Sequence, residues 1–158
     1  MNVDSLIEAI EAAREYWNHV LELVPEDKRE WKPSPDAWSL KDIVAHVAWH
    51  ELEMIKLIES RALEGSDWWE LPTDKRNDKI YDQYWSALLE DVLAIAKDTY
   101  PRMVYALRTL EDVDLNDPTR FKGMPEDWKP WRMIASNTYE HYLRHIGQVR
   151  RLADQANR

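Results

Sequence analysis

Apolar residues recur at spacings of three and four along most of the chain, which is the period of an amphipathic α-helix. The first apolar stripe ends at Pro25 and comprises Leu6, Ile7, Ile10, Ala13, Trp17, Val20, Leu21 and Val24. A second helix is predicted from Leu40 to about Leu63. Ser39 is its expected N-cap, Asp42 completes a capping box, and Gly65 is its stop signal.

The second half of the chain is also helical in pattern. A short helix is predicted over 74–84, a longer one over 86–109, and a last one from Pro130 to about Gln155. Pro101 should kink or split the third of the main helices, and 111–129 is typical of a loop. The pattern therefore predicts an all-α four-helix bundle with long connections between helices 1 and 2, 2 and 3, and 3 and 4.

Composition sets limits on this picture. The 158 residues fit one domain, 1–158, and 44% hydrophobic with 32% charged residues is typical of a folded globule. Thirty acidic against 21 basic residues give a net charge of −9, from which we expect no nucleic acid partner. No apolar run reaches membrane-spanning length, and the start of the chain is too acidic for a signal peptide. With no cysteine either, a cytoplasmic protein that binds no membrane is expected.

The histidines carry the distinctive chemistry. Four of the five form two i,i+4 pairs, His46 with His50 and His141 with His145. Random placement would give on the order of 0.1 such pairs, and this spacing puts both rings on one helix face. Each pair alone is compatible with hydrogen-bonded structural histidines. Two inward-leaning pairs favour a shared divalent cation, because neutral imidazole binds Zn, Ni, Cu and Fe. Helix geometry alone turns His50 slightly further inward than His46.

Two motifs resemble a known family. The stretch from Trp38 to His46 resembles the W-S-x6-H element of the DinB-like superfamily, and 141–148 resembles its H-x3-H-x-G-Q element. Residues 130–142 are more similar to its ClbS/DfsB branch. The resemblance implies a bundle that is often dimeric and that holds a divalent metal, commonly Ni or Zn, on His46, His141 and His145.

The remaining candidates surround those three histidines in the sequence. His50 is either a fourth ligand, a neighbour of the ligands or an acid/base group, and Glu53 is a second acid/base candidate. A pocket for a small molecule is expected from Trp49, Trp131, Asn137, Tyr142 and Gln148. Trp68 and Trp69 either fold over that pocket as a lid or lie in a subunit interface.

Members of the superfamily include thiol-dependent transferases, hydrolases and self-protection proteins. We therefore expect a metal-dependent enzyme that acts on a small organic substrate by hydrolysis or by group transfer, including thiol transfer, and that forms a homodimer. Any thiol must come from a cofactor, because the chain has no cysteine. The alternatives are a non-catalytic binding or self-protection module of the ClbS/DfsB type and a purely structural bundle.

Overall fold

The computed structural model describes residues 1–158 and is helical throughout. Its seven α-helices are α1 (Val3–Leu21), α2 (Leu40–Ser60), α3 (Thr73–Tyr84), α4 (Leu89–Leu107), α5 (Asp112–Asn116), α6 (Pro130–Asn137) and α7 (Tyr139–Ala156). Short 3-10 turns cover Glu26–Lys28, Asp67–Glu70 and Pro118–Arg120. No helix is long and apolar enough to cross a membrane.

The four long helices α1, α2, α4 and α7 form a bundle, which confirms the predicted fold class. Helix α2 packs along α4, and α1 packs along α7. Helix α2 also touches α3, α6 and α7, so almost all of its residues are buried, including charged and polar ones. Because a buried polar group without a partner is costly, the polar residues of α2 mark places where the fold must supply one.

Helix α2 begins where the sequence predicts. The Ser39 side chain accepts from the Asp42 backbone N–H at 3.2 Å, and the Ser39 N–H donates to the Asp42 carboxylate at 2.9 Å. The helix ends at Ser60, before the expected Leu63, because Arg61 adopts a left-handed conformation with φ 52°. The chain then pairs with a distant segment: the Leu63 N–H donates to the Lys122 carbonyl at 2.7 Å.

The structure differs from the predicted elements at three further places. Pro101 lies inside α4 without splitting it, and the region predicted as loop contains α5. The expected last helix is broken at Thr138, with φ −125° and ψ −104°, into α6 and α7. The buried Thr138 hydroxyl donates to the Ile134 carbonyl at 2.7 Å, a local hydrogen bond of the kind that distorts helices.

Candidate metal centre

The two predicted histidine pairs meet where α2 faces α7. His46 and His50 lie one turn apart on α2, and His141 and His145 lie one turn apart on α7. The ring centroids of His50 and His141 are 4.2 Å apart, and those of His46 and His141 are 4.9 Å apart. Residues 95 positions apart in sequence thus form one cluster, which we call the histidine cluster.

The ring nitrogens of this cluster outnumber the hydrogen bonds that they can make with one another. Nε2 of His141 lies 3.1 Å from Nε2 of His46 and 3.1 Å from Nε2 of His145. An imidazole nitrogen has one in-plane position, taken either by a proton or by a lone pair, so Nε2 of His141 can satisfy only one of these contacts. Ligand atoms of His46, His50 and His141 also lie within 4.8 Å of one another.

Two carboxamides orient the outer histidines. Nδ1 of His50 donates to Asn137 Oδ1 at 2.8 Å, and Nδ1 of His145 donates to Gln148 Oε1 at 2.9 Å. The Asn137 amide nitrogen donates to the Met133 carbonyl at 2.8 Å, which leaves its oxygen facing the ring. With the proton on Nδ1, each of these two rings carries a lone pair on Nε2.

Several ring nitrogens of the cluster have no partner at all. Nε2 of His50 and Nδ1 of His46 and His141 are buried and make no hydrogen bond. Such atoms are rare in folded proteins because each one has lost its hydrogen bond to water. A cation bound at the Nε2 atoms would be shared by their lone pairs, while Nδ1 of His46 and of His141 would remain N–H donors.

Burial keeps the cluster uncharged at neutral pH. Burial, followed by the charges of the neighbouring histidines, lowers the pKa of His46 to about 2. Burial also lowers the pKa of His50 to about 4 and the pKa of His141 well below 6.5. His145 shifts in the same direction for the same reason. Neutral imidazole is the form that ligates metals.

The histidine cluster therefore fits a divalent ion. Two nitrogens that each lie about 2.1 Å from one ion are separated by roughly 3.0–3.4 Å, depending on the coordination angle. The 3.1 Å separations between Nε2 atoms fall in that range. Nitrogen-only donors favour Zn or Ni over Mg or Ca, which prefer oxygen.

Tryptophan rings enclose the histidine cluster on two sides. The Trp38 ring lies 5.0 Å from the His46 ring, and the Trp69 ring lies 5.4 Å from the His50 ring. Trp49 lies 5.0 Å from His50 and stacks on Trp68 at 5.9 Å. In this chain Trp68 and Trp69 thus pack on the histidine side, as the lid interpretation requires.

Glu53 holds this aromatic cover in place. Its Oε2 accepts from the Trp69 indole N–H and from the Ser66 backbone N–H, both at 2.8 Å. Its Oε1 accepts from Lys56 at 2.6 Å. The carboxylate is buried, with both oxygens occupied, so the contacts of Glu53 are those of a positioning residue, and its predicted acid/base role stays a prediction.

A cavity of about 490 Å³ opens beside His145. It is lined by Trp38, Asn77, Gln148 and Arg151 among others. His145 is the most accessible of the four ligand candidates, because the other three are buried. A small molecule could therefore approach the histidine cluster from this side.

The residues predicted to form the pocket are only partly brought together. Trp49, Asn137 and Gln148 touch the histidine cluster, as described above. Trp131 lies under the guanidinium of Arg132, 5.0 Å from its ring centroid, rather than against the histidine rings. Tyr142 is fully buried, stacks on Trp17, and donates its hydroxyl to Glu51.

Sequence reasoning missed the reason for this placement of Tyr142. Arg14 of α1 and Tyr142 of α7 both donate to one oxygen of Glu51 on α2, and we call these three residues the Glu51 cluster. Glu51 has no exposed surface. Its only sequence signal was a carboxylate within the most apolar helix of the chain.

Comparison with known proteins gives the class to which this bundle and its histidine cluster belong. Residues 9–149 match the model of the DinB superfamily. The chain therefore belongs to the DinB superfamily, and the resemblance noted in the sequence is confirmed. No match was found among curated proteins.

Solved structures with the same fold include proteins of the branch that the sequence resembles. An uncharacterised protein from Escherichia coli UTI89 superposes with a TM-score of 0.78 at 21% identity, over 99% of this chain and 95% of that one. The colibactin self-resistance protein ClbS, in complex with a double-stranded DNA, gives 0.76 at 21% identity, over 96% and 94%. DfsB, described as a sibling lethal factor precursor, gives 0.72 at 18% identity, over 96% and 94%.

The ClbS complex corrects one expectation. Nucleic acid was excluded from the partners on the ground of net charge, and a protein of this fold bound to double-stranded DNA shows that this exclusion is wrong. Net charge averages over the whole surface, whereas binding depends on the local distribution of charge. A chain with a charge of −9 still has 21 basic side chains, which can cluster on one face.

Proposed function

We propose that this chain is a metal-dependent enzyme that acts on a small organic substrate by hydrolysis or by group transfer, including thiol transfer. The observation that carries the proposal is the meeting of four imidazoles from α2 and α7 whose nitrogens cannot satisfy one another. The proposed enzyme is cytoplasmic and acts as a homodimer, and sedimentation of the purified protein tests the homodimer.

In this proposal His46, His141 and His145 hold a divalent ion, Zn or Ni. Nε2 of His141 is central, since it lies 3.1 Å from Nε2 of both other ligands. The ion would supply Lewis acidity, which polarises a substrate carbonyl or activates water for attack.

The remaining residues prepare the site for chemistry. Asn137 and Gln148 accept hydrogen bonds from Nδ1 of His50 and His145, respectively. These bonds fix the tautomer in which Nε2 of each ring carries the lone pair that binds a metal. His50 keeps an unpartnered Nε2, which is the atom available to accept a proton from a reacting group or to become a fourth ligand. Trp38 and Trp69 exclude water from this volume.

The test is elemental analysis of protein purified without a histidine tag. We expect about one divalent ion per chain in the native protein and almost none in His141→Ala, because this variant lacks the nitrogen that lies next to both other ligands. His19→Ala is the matched control, since His19 is exposed on α1 and should leave the metal content unchanged. Substoichiometric metal that His141→Ala does not alter would remove the proposal.

His50→Ala and His145→Ala, analysed in the same way, separate the two candidates for the third ligand. If His145 ligates the ion, its loss lowers the metal content more than the loss of His50. The reverse result would assign the third position to His50, which belongs with His46 and His141 to the most compact set of donor atoms.

A non-catalytic binding or self-protection module is the second candidate, favoured by a specific feature of the cluster. Four histidines converge rather than three, and an ion closed by four protein ligands has no position left for a substrate. A fold neighbour is also described as a self-resistance protein. Counting the coordinating atoms by X-ray absorption decides: four nitrogens without water favour the module, and three with an exchangeable ligand favour the enzyme.

A further inference from the structure

One cationic side chain beside the histidine cluster has no counter-charge. Arg76 of α3 is half-buried, and its guanidinium lies over the Trp69 ring, 4.9 Å from the centroid. Its Nε is buried and makes no hydrogen bond. Burial lowers the pKa of Arg76, with no contribution from any carboxylate.

The charges that act on the histidine cluster share one sign. The positive charges of Arg76 and Arg144 both lower the pKa of His46 and of His50, after burial and the other contributions. Arg144 makes its hydrogen bond to the Ser136 carbonyl, so it too keeps its charge unpaired. Two guanidinium charges without a carboxylate partner thus act on the candidate site of an acidic protein.

Three other arginines of the chain are paired with carboxylates. Arg14 pairs with Glu51, while Arg61 and Arg120 both pair with Asp114. Arg76 instead presents its planar face to Trp69 and leaves its hydrogen-bonding groups free. A planar guanidinium matches the geometry of carboxylates and phosphates, with which it forms two parallel hydrogen bonds.

The surroundings of Arg76 indicate the rest of the ligand. Trp69 connects it to the histidine cluster, since one ring lies against both Arg76 and His50. Trp38 supplies an apolar wall on the other side of His46. A small molecule can contact both the half-buried guanidinium and these rings, which a duplex phosphate alone does not.

We propose that Arg76 binds the oxyanion group, a carboxylate or a phosphate, of a small organic substrate whose apolar body lies between Trp38 and Trp69 beside the histidine cluster. This inference deepens the proposed function and rests on it for the statement that the ligand is a substrate. Arg76 acts in it as a binding and specificity residue, on a helix that the sequence motifs do not include.

The test is a ¹⁹F NMR titration of the zinc-loaded protein with three probes of similar shape: 4-fluorobenzoate, 4-fluorophenyl phosphate and the neutral 4-fluorobenzamide. We expect Arg76→Gln to weaken binding of an anionic probe about tenfold, as loss of a charge-assisted hydrogen bond does, and to leave the benzamide unchanged. Arg76→Lys should recover part of the loss, because it keeps the charge without the planar fork. The anion whose affinity falls more in Arg76→Gln shows whether Arg76 binds a carboxylate or a phosphate.

Lys75→Gln is the matched control. It removes the same charge from the adjacent residue of α3, which is exposed and faces Asp78 rather than Trp69, so it should change each affinity less than twofold. Circular dichroism of every variant checks that the bundle is intact.

Equal affinities of the native protein and Arg76→Gln for both anions would overturn the inference, as would equal affinity of the native protein for benzoate and benzamide. A short DNA duplex is titrated in parallel. If Arg76→Gln weakens the duplex and neither small anion, Arg76 contacts a nucleic acid backbone and the inference is again overturned.

Repeating the titration on EDTA-treated protein separates this inference from the proposed function. If Arg76→Gln still weakens the anions when no metal is present, Arg76 is an anion site whatever elemental analysis shows. If the native protein holds its metal but Arg76→Gln has no effect, only the inference fails.

Discussion

Two buried polar clusters lie side by side in this bundle and are built from consecutive residues. On α2, His50 belongs to the histidine cluster and Glu51 to the Glu51 cluster. On α7, His141 and Tyr142 are divided in the same way. Neighbouring helix positions point about 100° apart, so one pair of helices supports both clusters without mixing them.

The Glu51 cluster is neutralised within the protein. The Arg14 guanidinium donates to Glu51 and, at 3.0 Å, to the Ala96 carbonyl of α4. It also lies 4.6 Å from the centroid of the Tyr100 ring. Together with the hydrogen bond from Tyr142 of α7, these contacts join all four long helices around the ion pair of Arg14 and Glu51. The cluster fixes the relative positions of the helices.

The histidine cluster has the opposite character. Three of its ring nitrogens lack partners, the charges of Arg76 and Arg144 act on it, and a cavity opens beside His145. The difference shows how buried polar groups of one helix pair can be divided between holding the fold and binding an external group. Both clusters contain buried polar atoms without a hydrogen bond, including Arg14 Nε and Glu51 Oε2. They differ in charge: opposite charges are paired in the Glu51 cluster, whereas no carboxylate is paired with the histidine cluster, which makes it the candidate site.

Breaking the Glu51 cluster should have the largest effect. Glu51→Ala leaves the Arg14 charge buried without its partner, which we expect to lower the free energy of unfolding by about 3–5 kcal/mol. Urea unfolding measures it, with Glu59→Ala on the exposed face of α2 as the control. A loss below about 1 kcal/mol would show that the cluster is not structural. The double variant Arg14→Met with Glu51→Leu should recover most of the loss, because no charge remains unpaired.

Metal binding to the histidine cluster should cause the next largest change in the free energy of unfolding. Zinc at about 100 times its dissociation constant is expected to raise the free energy of unfolding of the native protein by about 2.7 kcal/mol. His141→Ala should show almost no such rise, since it removes the central nitrogen. Thermal unfolding with and without EDTA makes the comparison. An equal rise in both proteins would place the stabilising ion elsewhere.

Lowering the pH should reduce the stability of the metal-free protein through the histidine cluster. The pKa of His50 falls from 6.5 to about 4 on folding, and the pKa of His46 falls to about 2. The unfolded chain therefore takes up these protons first, and the free energy of unfolding should decrease as the pH falls from about 6.5 towards 4. Denaturant unfolding across this range should give a shallower dependence for His50→Ala. A native profile no steeper than that of the variant would contradict the expected neutral, buried histidines.

The smallest effect is expected at the cover of the histidine cluster. A Cβ at Gly65 would lie 2.5 Å from Glu53 Oε2 and 3.2 Å from the Trp69 indole nitrogen. Gly65→Ala should therefore weaken the Glu53–Trp69 hydrogen bond and lower the free energy of unfolding by about 1 kcal/mol. At Gly147 the nearest atom, on Arg151, is 3.5 Å away, so Gly147→Ala should be neutral or stabilising by up to about 1 kcal/mol. Equal results at both glycines, measured by urea unfolding, would argue against a tightly packed cover.

The sequence was sufficient wherever local physics decides. Helical periodicity predicted the all-α bundle, and the Ser39–Asp42 capping box placed the start of α2. The i,i+4 spacing of the two histidine pairs predicted that each pair shares a face. These features depend on residues within a turn or two of one another, so tertiary context changes them little.

Local patterns were insufficient where a candidate site residue forms a hydrogen bond with a residue far away in the sequence, because that bond determines where its side chain lies. Tyr142 is directed into the core because Glu51, 91 residues away, accepts a hydrogen bond from its hydroxyl. Glu53 is occupied by Trp69, whose position depends on how the chain returns after α2. The break at Thr138 and the length of α4 past Pro101 likewise depend on what packs around them.

What the chain determined by itself, then, is a helical bundle that carries two same-face pairs of histidines. Only the tertiary structure decided that α2 meets α7 along those faces and that an unpaired Arg76 on α3 comes to lie over Trp69 beside them. The physical reason is the distance along the chain over which each interaction acts. Helix formation and capping act between near neighbours, whereas the meeting of four imidazoles is set by the packing of a core to which every long helix contributes.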